Sequence, residues 1–250
     1  MTYKILFSNI GYAKGIDGSL AQHMRHLHRH LHCPLPVQQQ VMMQIKSVMS
    51  EEKPDLCCFV EIEHHEKEGR YSQVQALADD DYPFFDVADK YGVNSWLSRV
   101  PWHRGRCNAF LARRPLAFAR RYFSLGSKRL IYEVEGPQGT VVFFAHFSLQ
   151  KAVRAEQFRE LRRLIARTER EVIVLADFNI MGGFGELAPL LRNSGLHVLS
   201  REDEPTFTFS SLRRVLDLCI CSESLKDKLA LKVIAQPYSD HAALLVTVLP

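Results

Sequence analysis

The apolar run Val172-Ile173-Val174-Leu175-Ala176 breaks off into Asp177-Phe178-Asn179, and this junction constrains the fold more than any other stretch of the chain. An uninterrupted apolar run of this length reads as a buried strand. A carboxylate and a carboxamide two residues apart at its tip share one face, so the strand delivers polar groups into a cleft. Near the other end of the chain, Ser239-Asp240-His241 stand beside a second apolar run, 242–249. Two carboxylates, an Asn and a His at the mouths of core strands suit a hard metal ion and a proton-transfer group. Taken alone the fragment is weak evidence, because many strands end in Asp, and its plain reading is an Asx turn.

Strand signals recur at 3–10, 56–60, 107–112, 116–123, 130–134, 141–147 and 215–221, and helix signals at 19–33, 37–50, 73–78, 152–168 and 186–192. Gly136-Pro137-Gln138-Gly139 joins two of the strands as a hairpin. The stretch 63–91 reads as polar and turn-rich. Strands outnumber helices, hairpins mix with crossovers, and no linker or low-complexity tract divides the chain. One domain over 1–250, of mixed β-sheets with flanking helices, is expected. The 46% hydrophobic content supplies a core for it.

The helix expected at 19–33 is a His-rich insertion. Ser19 is its N-cap, and Leu20, Met24, Leu27 and Leu31 recur at helical spacing. His26/His30 and His28/His32 have the spacing of a transition-metal pair, yet no carboxylate or Cys completes such a site, which favours a solvated face. Trp96 and Trp102, flanked by Arg99, Arg104 and Arg106, suit base stacking or lipid contact as well as they suit a small loop core. The net charge of +4 fits a phosphate-bearing partner, although surplus Lys and Arg also keep surfaces soluble. The basic pairs 113–114, 120–121, 128–129, 162–163 and 213–214 form no single tract and read mostly as solvated faces. Arg213-Arg214 abut the strand that holds Asp217. The cysteines at 33, 57, 58, 107, 219 and 221 lack paired CxxC spacing and read as small core residues of a reducing cytoplasm. No signal-peptide pattern opens the chain, no apolar run approaches the ~20 residues of a membrane span, and a cytoplasmic monomer is expected.

Polar residues also interrupt or end other strands: Asn9, Glu61, His146 and Asp217. Register with the preceding apolar run favours Glu61 over Glu63. A carboxylate in mid-strand is costly to bury unless paired; Asp217 needs a partner, and His241 is chemically suitable. His146, taken alone, reads as a core histidine.

In order along the chain, Ser8-Asn9-Ile10, 54–61, Cys107-Asn108-Ala109-Phe110-Leu111-Ala112-Arg113-Arg114-Pro115, Ala145-His146-Phe147, Arg154-Ala155-Glu156-Gln157-Phe158, Ala176-Asp177-Phe178-Asn179, Arg214-Val215-Leu216-Asp217 and Ser239-Asp240-His241 resemble the endonuclease/exonuclease/phosphatase superfamily. That group holds deoxyribonuclease I, abasic-site endonucleases, neutral sphingomyelinases and inositol-polyphosphate phosphatases. The resemblance implies a four-layer α/β sandwich: two mixed β-sheets packed face to face, helices outside, and a site at one edge between them. It implies Glu61 as the main ligand of Mg²⁺, or Mn²⁺ in its place, with Asn9 beside it and Asp240 as a further acidic ligand. Asp177 and Asn179 would orient the attacking water and a phosphoryl oxygen. His241, held by Asp217, would be general base or phosphate ligand, and His146 would contact the phosphate or help the leaving oxygen. Both Asp177 and His241 stand as candidates for activating the water, and Asn108 for either a structural or a site role. The implied activity is metal-dependent hydrolysis of a phosphodiester, with nucleic acid the leading substrate. A phospholipid or small phosphoester is the alternative, and a catalytically silent nucleic-acid-binding or protein-binding member the third reading. The retained acidic and His positions argue against the last.

Overall fold

The computed structural model describes residues 2–30, 33–65, 70–92, 95–100 and 103–250. In chain order its elements begin with β1 (Tyr3–Asn9), α1 (Leu20–Arg25), α2 (Leu35–Glu52), β2 (Leu56–Glu63), α3 (Gln73–Leu77), β3 (Phe84–Asp89) and β4 (Arg106–Ala112). They continue with β5 (Phe118–Tyr122), β6 (Leu130–Glu135), β7 (Val141–His146), α4 (Lys151–Thr168), β8 (Val172–Asp177), α5 (Ala188–Leu191) and β9 (Leu196–Val198). Last come β10 (Phe207–Phe209), β11 (Leu212–Arg214), β12 (Asp217–Ser222), β13 (Leu229–Ile234) and β14 (Ala243–Val248).

Two six-stranded sheets form, in the orders β13-β14-β1-β2-β4-β3 and β5-β6-β7-β8-β12-β9. Each has one parallel pair at its heart, β1 with β2 and β7 with β8, and each pair is joined across a long helix, α2 or α4. Parallel neighbours require such a crossover. The remaining pairings are antiparallel, so both sheets are mixed.

Side-chain alternation assigns the layers. Ile5, Phe7, Cys58 and Val60 pack with Tyr132, Phe144, Leu175 and Cys219 between the sheets. Leu6, Cys57 and Phe59 point the other way, onto Val41, Ile45 and Met49 of α2. Phe143, Ala145 and Val174 likewise meet Phe158 and Leu161 of α4. The result is the expected four-layer sandwich, helix–sheet–sheet–helix. Burying each large apolar side chain is worth about 1.5–3 kcal/mol, so these three apolar layers hold the architecture. Cys57, Cys58, Cys107, Cys219 and Cys221 are buried free thiols within them.

Several local expectations are corrected. The helix expected at 19–33 is a six-residue α1 capped by Ser19 Oγ, followed by a 3₁₀ turn at Leu27–His30. Its apolar stripe is not buried: Leu20, Met24 and Leu27 are 50%, 74% and 67% exposed. The outer face of the first sheet packs against α2 and α3 instead, and the contact of α1 runs from the His23 ring to Phe209 at 4.7 Å. Leu31, His32 and Trp102 lie outside the described residues. In stretch 63–91 the helix expected at 73–78 is α3, and the edge strand β3 is an addition. Strands β9, β10, β11 and β13 are further additions, three of them only three residues long. No helix among the described residues is long and apolar enough to cross a membrane.

Candidate active site

Parallel pairing fixes where the site lies. Strand β1 ends at Asn9 and β7 and β8 end side by side at His146 and Asp177, which are directly paired. Antiparallel β12 starts at the same edge, with Asp217 opposite Asp177, and Asp240-His241 lead into antiparallel β14. The carboxyl ends of the parallel pairs and the amino ends of their antiparallel neighbours therefore meet.

Asp177, 1% exposed, is the hub. Its Oδ2 accepts from Asn9 Nδ2 at 3.0 Å, a bond that links the two sheets. His146 Nε2 lies 3.0 Å and His241 Nε2 3.9 Å from the same oxygen. Asp177 Oδ1 accepts the Asn179 backbone N–H at 3.1 Å, with Asn179 in the left-handed region. The Asx turn and the site are thus one arrangement. Asn179 Nδ2 donates to the Phe147 carbonyl at 2.9 Å, leaving a second N–H.

His241 Nδ1 and Asp217 Oδ2 are 2.7 Å apart, the pairing expected for the buried mid-strand carboxylate. Thr206 Oγ1 holds the Asp217 backbone N–H, and Ser239 Oγ ties the His241 backbone N–H to the Asn9 carbonyl. Asp177, Asp217 and His241 also have ligand atoms within 4.8 Å of one another. The 2.7 Å separation is a hydrogen bond, so this trio is a proton-holding pair beside a carboxylate.

Glu61 reaches the site through a fault in the sheet. Simple alternation would send it with Cys57 and Phe59 to the helix-covered face. Instead the β2–β4 register shifts between Phe59 and Ile62, and Glu61 takes φ 54°. Such a bulge re-aims one side chain; Ile62 resumes the outer face and Glu61 turns to the cleft. Its Oε1 stands 3.7 Å from His146 Nδ1 and 4.0 Å from both Lys90 Nζ and Lys128 Nζ. One imidazole therefore separates the Glu61 and Asp177 carboxylates.

The turn after Asn9 is also left-handed, with Gly11, Tyr12 and Ala13 at φ 53°, 56° and 53°. For each residue with a Cβ this conformation costs about 1–2 kcal/mol. The turn seats the buried Tyr12, whose hydroxyl accepts a short hydrogen bond from Lys90 Nζ. The Arg106 guanidinium lies 5.0 Å over the Tyr12 ring.

Charge and burial then set protonation. Burial would raise Asp177, but His146 and His241 hold its carboxyl well below the usual carboxylate range. Burial would also raise Glu61, but His146, Lys90, Lys128 and Lys14 bring it down to about 2. His146 is lowered to about 4 by burial and by Lys128, whose ammonium touches its Nε2. Against the pull of burial, Asp217 and Asp177 push His241 well up, while burial raises Asp217. Burial lowers Lys90 to about 8 despite the attraction of Glu61. Asp240 is half-buried and raised by burial, and the Glu61 charge acts in the same direction.

All eight sequence-picked residues thus lie at one edge between the sheets. Asn108 is buried on the inter-sheet side of β4, its Oδ1 unpaired among the described residues. Sequence reasoning missed Tyr12 and Lys90 altogether and placed Lys128 on a solvated face; no periodicity marks any of the three. Trp96 is 70% exposed. Glu61, Asp240 and Asn9 carry the hard oxygen donors that Mg²⁺ or Mn²⁺ takes, with Asn9 Oδ1 already accepting the Gly11 backbone N–H at 3.1 Å. No hydrogen bond claims the Glu61 carboxylate among the described residues. The two ammoniums beside it oppose a lone cation and favour one that arrives with a phosphate.

Next to Asn179, a cleft of about 570 Å³ is lined by Ile180 to Gly185, Arg213 and Arg214.

The sequence model of the Endonuclease/Exonuclease/phosphatase family matches residues 40–241. No curated protein matches the chain. Among solved structures, the endonuclease domain of TRAS1, a telomere-specific non-LTR retrotransposon, is similar at 15% identity and TM-score 0.63, covering 100% of this chain and 99% of that one. Truncated TDP2 of Caenorhabditis elegans is similar at 15% identity and TM-score 0.65, covering 100% and 98%. The human nocturnin catalytic domain is similar at 14% identity and TM-score 0.61, covering 98% and 93%. At such identities the likeness speaks for the fold alone.

Proposed function

The chain belongs to the endonuclease/exonuclease/phosphatase family, and from that membership we propose that it hydrolyses phosphodiester bonds by in-line attack of water, with nucleic acid as its substrate. The observation that carries this reading is the Asp177 carboxylate held between Asn9, His146 and His241, with Glu61 one imidazole away. Asp177 is ionised throughout the working pH range, so it orients the water and accepts its proton. His241 is kept protonated by Asp217 and offers Nε2–H to a phosphoryl oxygen. This supports Asp177, rather than His241, as the activating group. The free N–H of Asn179 serves a second phosphoryl oxygen. Glu61, Asp240 and Asn9 would hold a divalent cation, Mg²⁺ or Mn²⁺, which when bound offsets charge on the phosphate and the departing oxygen. His146, kept neutral by burial, spaces the two carboxylates.

Nucleic acid is favoured by the net charge of +4 and by Arg213 and Arg214 on the wall of the cleft beside Asn179. The exposed stripe Leu20, Met24 and Leu27 favours a second reading, a phospholipid substrate. A panel of plasmid, single-stranded DNA, RNA, sphingomyelin and bis-p-nitrophenyl phosphate, each with and without EDTA, decides between them. Metal-dependent turnover of a nucleic acid, abolished in Glu61→Ala and His241→Ala, is expected. Turnover of none of the panel, with tight nucleic-acid binding, would leave a silent binding protein.

A further inference from the structure

We infer that Lys90, backed by Tyr12 and Arg106 and neighbouring Lys128 across the shared Glu61 carboxylate, forms a second phosphate subsite beside the reaction centre, which selects substrates carrying another phosphate next to the one cleaved. This deepens the phosphodiesterase reading and rests on it. Lys90 is 5% exposed, an unusual place for an ammonium without full charge compensation. Its nearest carboxylate, Glu61 at 4.0 Å, is shared with Lys128 at the same distance. One carboxylate thus faces two ammoniums, and the Lys14 ammonium and Arg106 guanidinium, 5.2 and 5.0 Å over the Tyr12 ring, add two further cations to the same wall. Glu63 is the other acid whose charge reaches Tyr12. A phosphate supplies the missing negative charge together with several acceptor oxygens for charge-assisted hydrogen bonds.

The two lysines are not equivalent. Lys128 touches His146 Nε2, which meets Asp177, so it belongs to the phosphate under attack. Lys90 reaches the same Glu61 oxygen but has its own partners, the Tyr12 hydroxyl and the rings of Tyr12 and Tyr91 at 4.9 and 5.4 Å. The left-handed turn 11–13 is a second, independent sign of a built site. Strained backbone persists where the surroundings enforce it, and here it serves to seat the tyrosine that positions Lys90.

The test compares kcat/KM for a thymidine dinucleotide bearing a 5′-terminal phosphate, one bearing a 3′-terminal phosphate, and the unphosphorylated form. A dinucleoside diphosphate is the fourth arm, separating a nucleic-acid end from a small pyrophosphate. Wild type is expected to prefer at least one of the phosphorylated compounds by tenfold or more over the unphosphorylated form. Lys90→Met should erase that ratio, and Lys90→Arg should restore part of it. Equal rates on all substrates, or a Lys90→Met loss that is the same on every substrate, would overturn the subsite. If Lys90→Met does not fold, Arg106→Gln carries the same comparison. Calorimetric titration of pyrophosphate and orthophosphate in EDTA provides a readout without turnover. Pyrophosphate is expected to bind at least tenfold tighter than orthophosphate, and Lys90→Met to remove the difference. Tight pyrophosphate binding without turnover of any substrate would sink the hydrolase reading and leave the subsite standing; turnover without discrimination would do the reverse.

Discussion

His146 shows how burial and neighbouring charge decide a single residue. Its pKa falls to about 4 because burial and Lys128 outweigh the attraction of Asp177 and Glu61. Folding therefore favours the neutral imidazole. Between the unfolded value near 6.5 and the folded one, the unfolded chain binds more protons, so stability falls as pH drops through that window. The loss is on the order of 3 kcal/mol. His241 shifts the other way: its contribution is present below about 6.5 and is lost as pH rises through its folded value. Asp217 and Asp240, raised by burial, act in the opposite direction over the same window in both proteins, so urea midpoints measured in EDTA at pH 4 to 7 should shift downward with acid more in wild type than in His146→Gln. A parallel slope in the two proteins would contradict this account. Asp217→Asn removes the carboxylate that raises His241. Turnover should drop by ~10²–10⁴, and the His241 ring resonances should titrate at lower pH by NMR. Unchanged titration would place the proton elsewhere.

The bulge in β2 is the element that sequence periodicity cannot disclose. The runs 56–60, 141–147 and 172–176 were legible because strands covered on both faces must be apolar throughout. Asn9, Asp177, Asp217 and His241 were legible because a polar group at the end of a core strand is costly to bury unless it meets a partner there. Register singles out Glu61, yet alternation alone would have buried it under α2; only the shift between Phe59 and Ile62 brings it to the cleft. The edge strand β3 and the three-residue strands β9, β10 and β11 escaped because neither edge pairing nor so short a run imposes a pattern. Lys90 and Lys128 escaped because nothing in a polar stretch foretells a buried ammonium. If the positive φ at Glu61 is as firm as its register suggests, Glu61→Gly should be more stable than Glu61→Ala by roughly 1 kcal/mol, since only glycine adopts that conformation without strain. Thermal melts of the two variants check this, and equal melting temperatures would mean the bulge relaxes once the carboxylate is gone.

At the scale of the molecule, each sheet brings half of the site. The β1–α2–β2 unit carries Asn9 and Glu61, and β7–α4–β8 carries His146 and Asp177. The apolar layer around Phe144 and Tyr132 holds the halves together, while α2 packs outside through residues such as Ile45. Phe144→Ala and Ile45→Ala should cost about 3–5 and 2–5 kcal/mol. Their effects on turnover should separate. A 1 Å misplacement can cost about 10²-fold in rate, so Phe144→Ala should lose activity far in excess of its unfolded fraction, whereas Ile45→Ala should track it. Kinetics and circular dichroism on the same samples make the comparison, and equal losses would argue against it. Under the proposed hydrolase reading, the hydrogen bond from Asn9 to Asp177 makes turnover a ruler for the gap between the two halves: gentle heating that lets them drift apart should silence it while the spectrum still looks native.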